Sequence, residues 1–181
     1  MRRDAAKAAD YASRHQVPQW YDNADALIQD PEVNAIYIAT PPDAHEQYAL
    51  AAIKAGKPVY VEKPMALNEA AAKSMAVAAA AAGVKLTVAH YRRQWPMFKQ
   101  LRQLIEQQVI GEPRLVRLEF YKQAPTSTEL SDPKNAWRVN PAISGGGLFH
   151  DLAPHQLDIL YYLFGDAVSI SGIAANQGGH Y

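Results

Sequence analysis

The 181-residue sequence contains no cysteine, which excludes disulfide bonds, thiolate nucleophiles and cysteine-ligated zinc. It has no excess of either charge, because 18 lysines and arginines balance 18 aspartates and glutamates. A chain without such a bias gives no reason to expect nucleic acid or an anionic membrane surface as a partner. Its longest uncharged, mainly apolar run, residues 74–84, is too short to cross a bilayer. These absences predict a soluble, cytoplasmic protein with neither nucleic-acid nor membrane partners.

The first half of the chain alternates short apolar runs with helical patterns. Runs at 35–39, 59–61 and 84–89 have the composition of strands, and the first lacks alternation, as in a strand covered on both faces. A helix predicted to begin at Asp43 and an alanine-rich helix over 69–82 connect these runs. Strand–helix–strand–helix–strand with short connections predicts a parallel sheet.

The pattern changes in the second half of the chain. Apolar spacing predicts a helix over 98–108 and another over 148–164, which follows a run of three glycines. Residues 113–122 alternate between apolar and polar side chains, as in a half-exposed antiparallel strand. Residues 126–143 have the composition of a loop, and 167–174 are compatible with a further strand.

Polar residues follow each predicted parallel strand. Because the carboxyl ends of parallel strands meet at one edge of a sheet, where ligands bind, these residues are expected to converge on a site. The alternatives are ordinary surface features: a solvated lysine, a chain turn, and arginines in solvent or rings packed on the next helix. The three segments are Thr40-Pro41-Pro42, Glu62-Lys63-Pro64 and His90-Tyr91-Arg92-Arg93.

A second polar cluster lies on the predicted helix over 148–164. Asp151 and His155 are four positions apart, so they share one helix face. A carboxylate beside an imidazole can orient it and raise its basicity, which suits a general base or half of a metal site. The alternative is an ordinary surface pair. His150 lies nearby, and Asp158 is interpreted as a structural cap or hydrogen-bonding residue.

Two stretches of the sequence together resemble the Gfo/Idh/MocA family, that is, glucose–fructose oxidoreductase and inositol 2-dehydrogenase-like enzymes. "VNAIYIATPPDAHEQYALAAIKAGKPVYVEKPMAL" is similar to the family's second mononucleotide half, including its Glu-Lys-Pro signature. "WRVNPAISGGGLFHDLAPHQLDILYYLFG" is similar to its Gly-Gly-Gly…Asp…His…Asp block. The resemblance implies an NAD(P)-dependent oxidoreductase that transfers a hydride between nicotinamide and a sugar, polyol or related hydroxyl compound.

The resemblance also implies a fold and an assembly. Residues 1–93 would form the C-terminal part of a Rossmann domain, an α/β fold with a parallel sheet. Residues 94–181 would begin an α+β domain built on a mainly antiparallel sheet, which binds substrate. The same sheet often forms the dimer contact in the family, so a homo-oligomer is expected.

Individual roles follow from the resemblance in the same way. Lys63 would lie beside the substrate carbon and the nicotinamide. His155 would take the hydroxyl proton, with Asp151 orienting it. No metal is expected. The residues expected to line NAD or NADP are Thr40, Pro41, His45, Glu62, Lys63, Tyr91, Arg92, Trp137 and Arg138.

The sequence also departs from the family pattern. Pro42 and Asp43 follow Thr40-Pro41, where asparagine is usual, and Tyr91 precedes the arginine pair, where asparagine is common. No Gly-x-Gly-x-x-Gly turn occurs, so the sequence is expected to be truncated at both ends, without the helix N-terminus that holds a pyrophosphate. Arg2 and Arg3 would suit a 2′-phosphate contact in NADP, or else are solvated charges.

Two other functions are compatible with the sequence. One is a catalytically inactive remnant or interaction module that keeps the fold but lacks the pyrophosphate-binding loop. The other is a metal-dependent lyase or hydrolase that uses Asp151, His155 and His150, although no third ligand is obvious.

Overall fold

The computed structural model describes residues 1–2, 4–175 and 179, so Arg3, one of the two candidates for a 2′-phosphate contact, lies outside the described residues. The chain divides into two compact units. The first comprises Met1–Val88, and the second begins at Ala89. Within the described ranges no helix is both long enough and apolar enough to cross a membrane.

The first unit has the predicted strand–helix–strand–helix–strand order. Its three strands form a parallel sheet in the order β1-β2-β3, with Ile38 opposite Val61 and Val61 opposite Val88. The predicted parallel sheet is therefore confirmed. The elements are α1 (Ala5–His15), α2 (Ala24–Gln29), β1 (Ile36–Ile38), α3 (His45–Lys54), β2 (Val59–Val61), α4 (Glu69–Ala82) and β3 (Leu86–Val88).

Local sequence signals set most of the helix ends in this unit. Asn68 accepts a hydrogen bond from the Ala71 amide at 2.9 Å and so caps α4. Gly83, in the left-handed region with φ 63°, ends it. The helix predicted to begin at Asp43 instead begins at His45. A 3-10 turn at Pro42–Ala44 precedes it, since Pro42 fixes the backbone at the first position of that turn.

The core of the first unit lies on one face of the sheet. Alternate residues of β1 and β2 are buried, while Tyr37 and Tyr60 between them are exposed. The prediction that β1 is covered on both faces is therefore wrong for the described chain, because helices cover only the aliphatic face. The main buried residues are Ile28, Ile36, Ile38, Ala49, Ala52, Ile53, Val59, Val61, Ala66, Met75 and Ala79.

The regular secondary structure in the described part of the second unit is helical. The long helix predicted over 148–164 is confirmed with a shift of one residue, and that over 98–108 with a shift of two. Two 3-10 turns, Tyr91–Gln94 and Trp137–Val139, lie among the helices. The helices are α5 (Pro96–Glu106), α6 (Ser127–Ser131), α7 (Pro133–Ala136), α8 (Pro141–Ser144) and α9 (Gly147–Phe164).

The two strands predicted in this unit are not formed. Residues 113–122 and 167–174 have no regular secondary structure, and Leu115 remains 86% exposed. A strand needs a neighbour that accepts and donates its backbone hydrogen bonds, and the described part of this unit offers none. The prediction of a loop over 126–143 is also wrong, because α6, α7 and α8 occupy these residues.

Candidate active site

Two loops at the carboxyl edge of the first unit's sheet carry predicted site residues. Thr40 and Pro41 follow β1, and Glu62 and Lys63 follow β2. Because Ile38 pairs with Val61, the two loops leave the sheet side by side, as predicted. The Lys63–Pro64 peptide bond is cis.

His45 connects these two loops from inside the unit. Its side chain is fully buried at the start of α3. Nδ1 lies 2.9 Å from the carbonyl oxygen of Pro64, and Nε2 lies 2.9 Å from that of Thr40. In this structure His45 therefore holds the backbone of both loops together.

Glu62 is held by a residue of the neighbouring strand. The Tyr37 hydroxyl donates to Glu62 Oε1 at 2.5 Å, and this hydrogen bond, followed by burial, raises the pKa of Tyr37 to about 12. The Tyr37 and Tyr60 rings lie 5.5 Å apart on the exposed sheet face. The acidic residue of Glu-Lys-Pro thus has a fixed position next to Lys63, which is half-buried.

Two polar atoms among the predicted cofactor residues are buried without a protein partner. Within the described part of the chain, Thr40 Oγ1 and Arg92 Nε have no hydrogen-bond partner. A buried polar group left unsatisfied costs about 1–3 kcal/mol, which a bound ligand can offset. Thr40 lies at the carboxyl edge of the sheet, where dinucleotides bind in α/β folds. A hydroxyl at this edge fits the polar surface of a nicotinamide dinucleotide.

In the second unit, the predicted base His155 is buried on α9. Its side chain packs edge-on against Tyr91, with ring centroids 5.3 Å apart and planes at 69°. Tyr91 belongs to the 3-10 turn before α5, so an aromatic ring from another segment limits the motion of this imidazole.

Asp151 lies one helical turn before His155 and contacts a predicted cofactor residue. Arg138 Nε is 3.5 Å from Asp151 Oδ2. The Arg138 guanidinium also lies 4.5 Å from the centroid of the Trp137 ring. Arg138 and Asp151 line a cavity of about 340 Å³, within the size range of small-molecule sites.

The glycine run at 145–147 explains how α9 begins next to this cavity. Gly147 has φ 59°, a left-handed conformation that side chains disfavour, and its amide donates to Ser144 Oγ at 3.2 Å. At Gly146 an added Cβ would lie 2.8 Å from His150 Nδ1. Glycine at these positions lets the chain turn tightly into the helix that carries Asp151 and His155.

The sequence did not identify the ion pair between Arg93 and Asp158. Arg93 Nε donates to Asp158 Oδ2 at 2.8 Å, and Nη2 donates to Oδ1 at 2.5 Å. The interpretation of Asp158 as a hydrogen-bonding residue is confirmed, but its partner lies 65 positions away. No local pattern reveals such a pair.

A metal site was one alternative for the cluster on α9. Among the described residues, no three histidine, aspartate or glutamate side chains come close enough together to hold a metal ion.

The parallel sheet of the first unit, with polar residues after its strands, places this protein among the Rossmann-type dinucleotide-binding α/β proteins. Comparison with known families specifies the class further. A family model described as an oxidoreductase family with an NAD-binding Rossmann fold matches residues 1–90. A second, described as the GFO/IDH/MocA C-terminal domain, matches residues 98–180. The chain belongs to the Gfo/Idh/MocA family of NAD-binding oxidoreductases.

Named relatives support this assignment. The chain is 46% identical over 170 residues to an oxidoreductase of Formosa agariphila, covering 94% of this chain and 53% of that protein. It is 33% identical over 175 residues to 1,5-anhydro-D-fructose reductase of Ensifer adhaerens, covering 94% and 51%. Among solved structures, levoglucosan dehydrogenase with NADH and levoglucosan superposes with a TM-score of 0.77 at 30% identity, covering 90% and 43%. The chain thus spans about half the length of the curated relatives it matches.

Proposed function

We propose that this protein is an NAD(P)-dependent dehydrogenase or reductase that acts on a sugar, a polyol or a related hydroxyl compound. The observation that carries the proposal is the buried His155 on α9, edge-on to Tyr91 and one helical turn from Asp151, in a chain of this family. The names of relatives that act on 1,5-anhydro-D-fructose and that bind levoglucosan support a sugar-like substrate.

Three side chains of this chain would take part in the reaction: one accepts the proton, one orients that acceptor and one stabilises the developing charge. In the oxidation direction, His155 accepts the hydroxyl proton while the carbinol hydride leaves. Asp151 keeps the imidazole oriented for that transfer. The Lys63 ammonium stabilises the negative charge that develops on the oxygen. When bound, the nicotinamide supplies the hydride acceptor, or the donor in reduction.

The sequence assigns the following roles to the cofactor-binding residues. Thr40 and Pro41 would bind the cofactor with their hydroxyl and ring, and Glu62 and Lys63 through the loop that His45 supports. Tyr91, Arg92, Trp137 and Arg138 would also contact it. The orphaned Thr40 Oγ1 and Arg92 Nε support this arrangement. The sequence contains no Gly-x-Gly-x-x-Gly turn, so no pyrophosphate contact is included.

Substitution of the proposed proton acceptor and of the ammonium tests the function. We expect His155→Asn and Lys63→Met each to lower kcat by about 100-fold or more, because each removes a group that acts in the transition state. Because the two groups act together, the double variant should lose little more than the worse single variant. The measurement is oxidation or reduction of NAD(H) and NADP(H) with levoglucosan, 1,5-anhydro-D-fructose and a panel of polyols.

Lys73→Met is the matched control, since Lys73 is exposed on α4 and pairs with Glu69 at the surface. It should leave kcat and KM unchanged. Turnover that is independent of both Lys63 and His155 would contradict the proposed function. Tight NAD(H) binding without any turnover would favour a non-catalytic module instead.

We also propose how the chain is divided into domains. Residues 1–93 would belong to the Rossmann domain, and residues 94–181 would begin a domain with a mainly antiparallel sheet. The exposed, alternating segment 113–122 supports the sheet, since such a pattern suits a strand with one covered face. This sheet would join two copies of the chain. The absence of cysteine supports a cytoplasmic location.

A further inference from the structure

The ion pair between Arg93 and Asp158 combines a buried carboxylate with two hydrogen bonds from the same guanidinium. The Asp158 side chain is only 7% exposed and receives two parallel hydrogen bonds from one guanidinium. Bidentate arginine–carboxylate pairs fix direction as well as distance. The pKa of Arg93 is raised by its hydrogen bonds to Asp158, so the charge is retained throughout the physiological range.

The same turn makes a second contact with the same helix. Arg93 and Tyr91 both belong to the turn Tyr91–Gln94, and they meet Asp158 and His155, three positions apart on α9. Residues three apart on a helix lie on one face. The turn is therefore tied to one face of α9 at two points, and one of them is the proposed base.

The turn also contacts α9 at Tyr162. Tyr162 lies four positions after Asp158, and its ring centroid is 5.6 Å from the Arg93 guanidinium carbon. Arg102 of α5 lies on the same ring at 4.7 Å. His90 Nδ1 is 3.7 Å from Asp158 Oδ1. The carboxylate of Asp158 is thus the common anchor of the segment that leads into α5.

We propose that Arg93 and Asp158 are positioning residues for His155: their ion pair holds the turn on α9 so that the Tyr91 ring stays against the imidazole. Neither residue needs to contact substrate or cofactor. The role assigned to His155 rests on the proposed function, but the coupling of the ion pair to the His155–Tyr91 contact does not. A simple stabilising pair would contribute to folding without affecting that contact.

The coupling can be measured by the NMR signals of the His155 ring C–H groups, which feel the ring current of Tyr91. Tyr91→Leu identifies the shift that accompanies loss of the ring. We expect Asp158→Asn, and the double variant Arg93→Gln with Asp158→Asn, to move the His155 signals in the same direction with Tyr91 still present. The double variant leaves no unpaired buried charge. If the single variant fails to fold, the double variant therefore still tests the coupling between the ion pair and the His155–Tyr91 contact.

Arg102→Gln is the matched control, because it removes the other arginine on Tyr162 and leaves the Arg93–Asp158 pair. It should not move the His155 signals.

In turnover, the double variant should lower kcat by about 10- to 100-fold with KM little changed, since a displaced base affects the chemical step. A folded double variant with unchanged His155 signals overturns the positioning role. A variant with shifted signals but unaltered kcat would instead separate the coupling from the proposed function of His155.

Discussion

At the scale of single residues, the partner of a side chain determines what it can do. Asp151 and Asp158 lie on the same helix, yet one contacts Arg138 beside a cavity and the other is buried against Arg93. Glu62 accepts the Tyr37 hydroxyl and is therefore fixed next to Lys63. Two aspartates seven positions apart on one helix thus have different partners and different surroundings.

The Tyr37–Glu62 hydrogen bond predicts how Tyr37 titrates. Its pKa is raised to about 12, chiefly by the hydrogen bond to Glu62, so Tyr37 should ionise later than an ordinary tyrosine. A raised pKa in the folded state means that the contribution to stability is complete below about pH 10 and is lost as pH rises through about 12. The ultraviolet titration of the wild type minus that of Tyr37→Phe should show this late step.

Glu62→Gln is the informative companion variant, because it keeps the shape and removes the carboxylate. The late tyrosinate step should then move to lower pH, since a neutral amide no longer disfavours the phenolate. A difference titration centred near the ordinary tyrosine value in the wild type would show that the hydrogen bond does not form in solution.

At the scale of elements, the sequence contains short-range signals for the three short helices in the segment predicted to be a loop. The loop predicted over 126–143 contains a Thr126–Glu129 capping box, and Asp132 and Asn140 each cap a helix whose first residue is proline. These are recognisable helix starts, but the helices that follow have only four or five residues and so lack the apolar periodicity that predicts a helix. The alternation in 113–122 favours a strand, but a strand also needs a neighbouring strand, which the described part of this unit does not provide.

The start of α9 provides a test at this scale. Gly147→Ala places a side chain in a left-handed conformation and should lower the free energy of unfolding by about 1–2 kcal/mol. Chemical denaturation monitored by circular dichroism measures the change. Gly172→Ala is the control, because an added Cβ there meets nothing within 4 Å and φ is not positive. An equal effect of both substitutions would mean that the conformation of Gly147 is not the cause.

At the scale of the molecule, what the sequence could predict depended on how far apart the contacting residues lie. The parallel sheet of the first unit joins strands that follow one another, so apolar runs and helix signals were enough to predict it. The pairs Arg93–Asp158 and Tyr91–His155 join residues more than 60 positions apart, and no local pattern carries that information. Resemblance to a family made His155 and Asp151 candidate site residues, whereas the structure shows that Tyr91 and Arg138 lie next to them.

The described part of the second unit exposes several large apolar side chains. Leu115 and Tyr121 are 86% exposed. Leu118, Phe120 and Phe149 line an apolar cavity of about 760 Å³ along α9. Large exposed apolar patches are typical of interaction sites, among them protein–protein interfaces. Its alternating pattern suits a strand completed by a partner, which we propose to be a second copy of the chain.

Association between copies should therefore depend on segment 113–122. Sedimentation equilibrium over a range of concentrations should show the mass of the wild type rising towards a dimer, because burial of these side chains stabilises the associated state. Leu115→Lys places a charge in the contact and should shift the protein towards monomer. Val77→Lys, at an apolar and 68% exposed position on α4 in the first unit, should leave association unchanged. A wild type that stays monomeric at every concentration, or a larger effect of Val77→Lys than of Leu115→Lys, would contradict an interface at this segment.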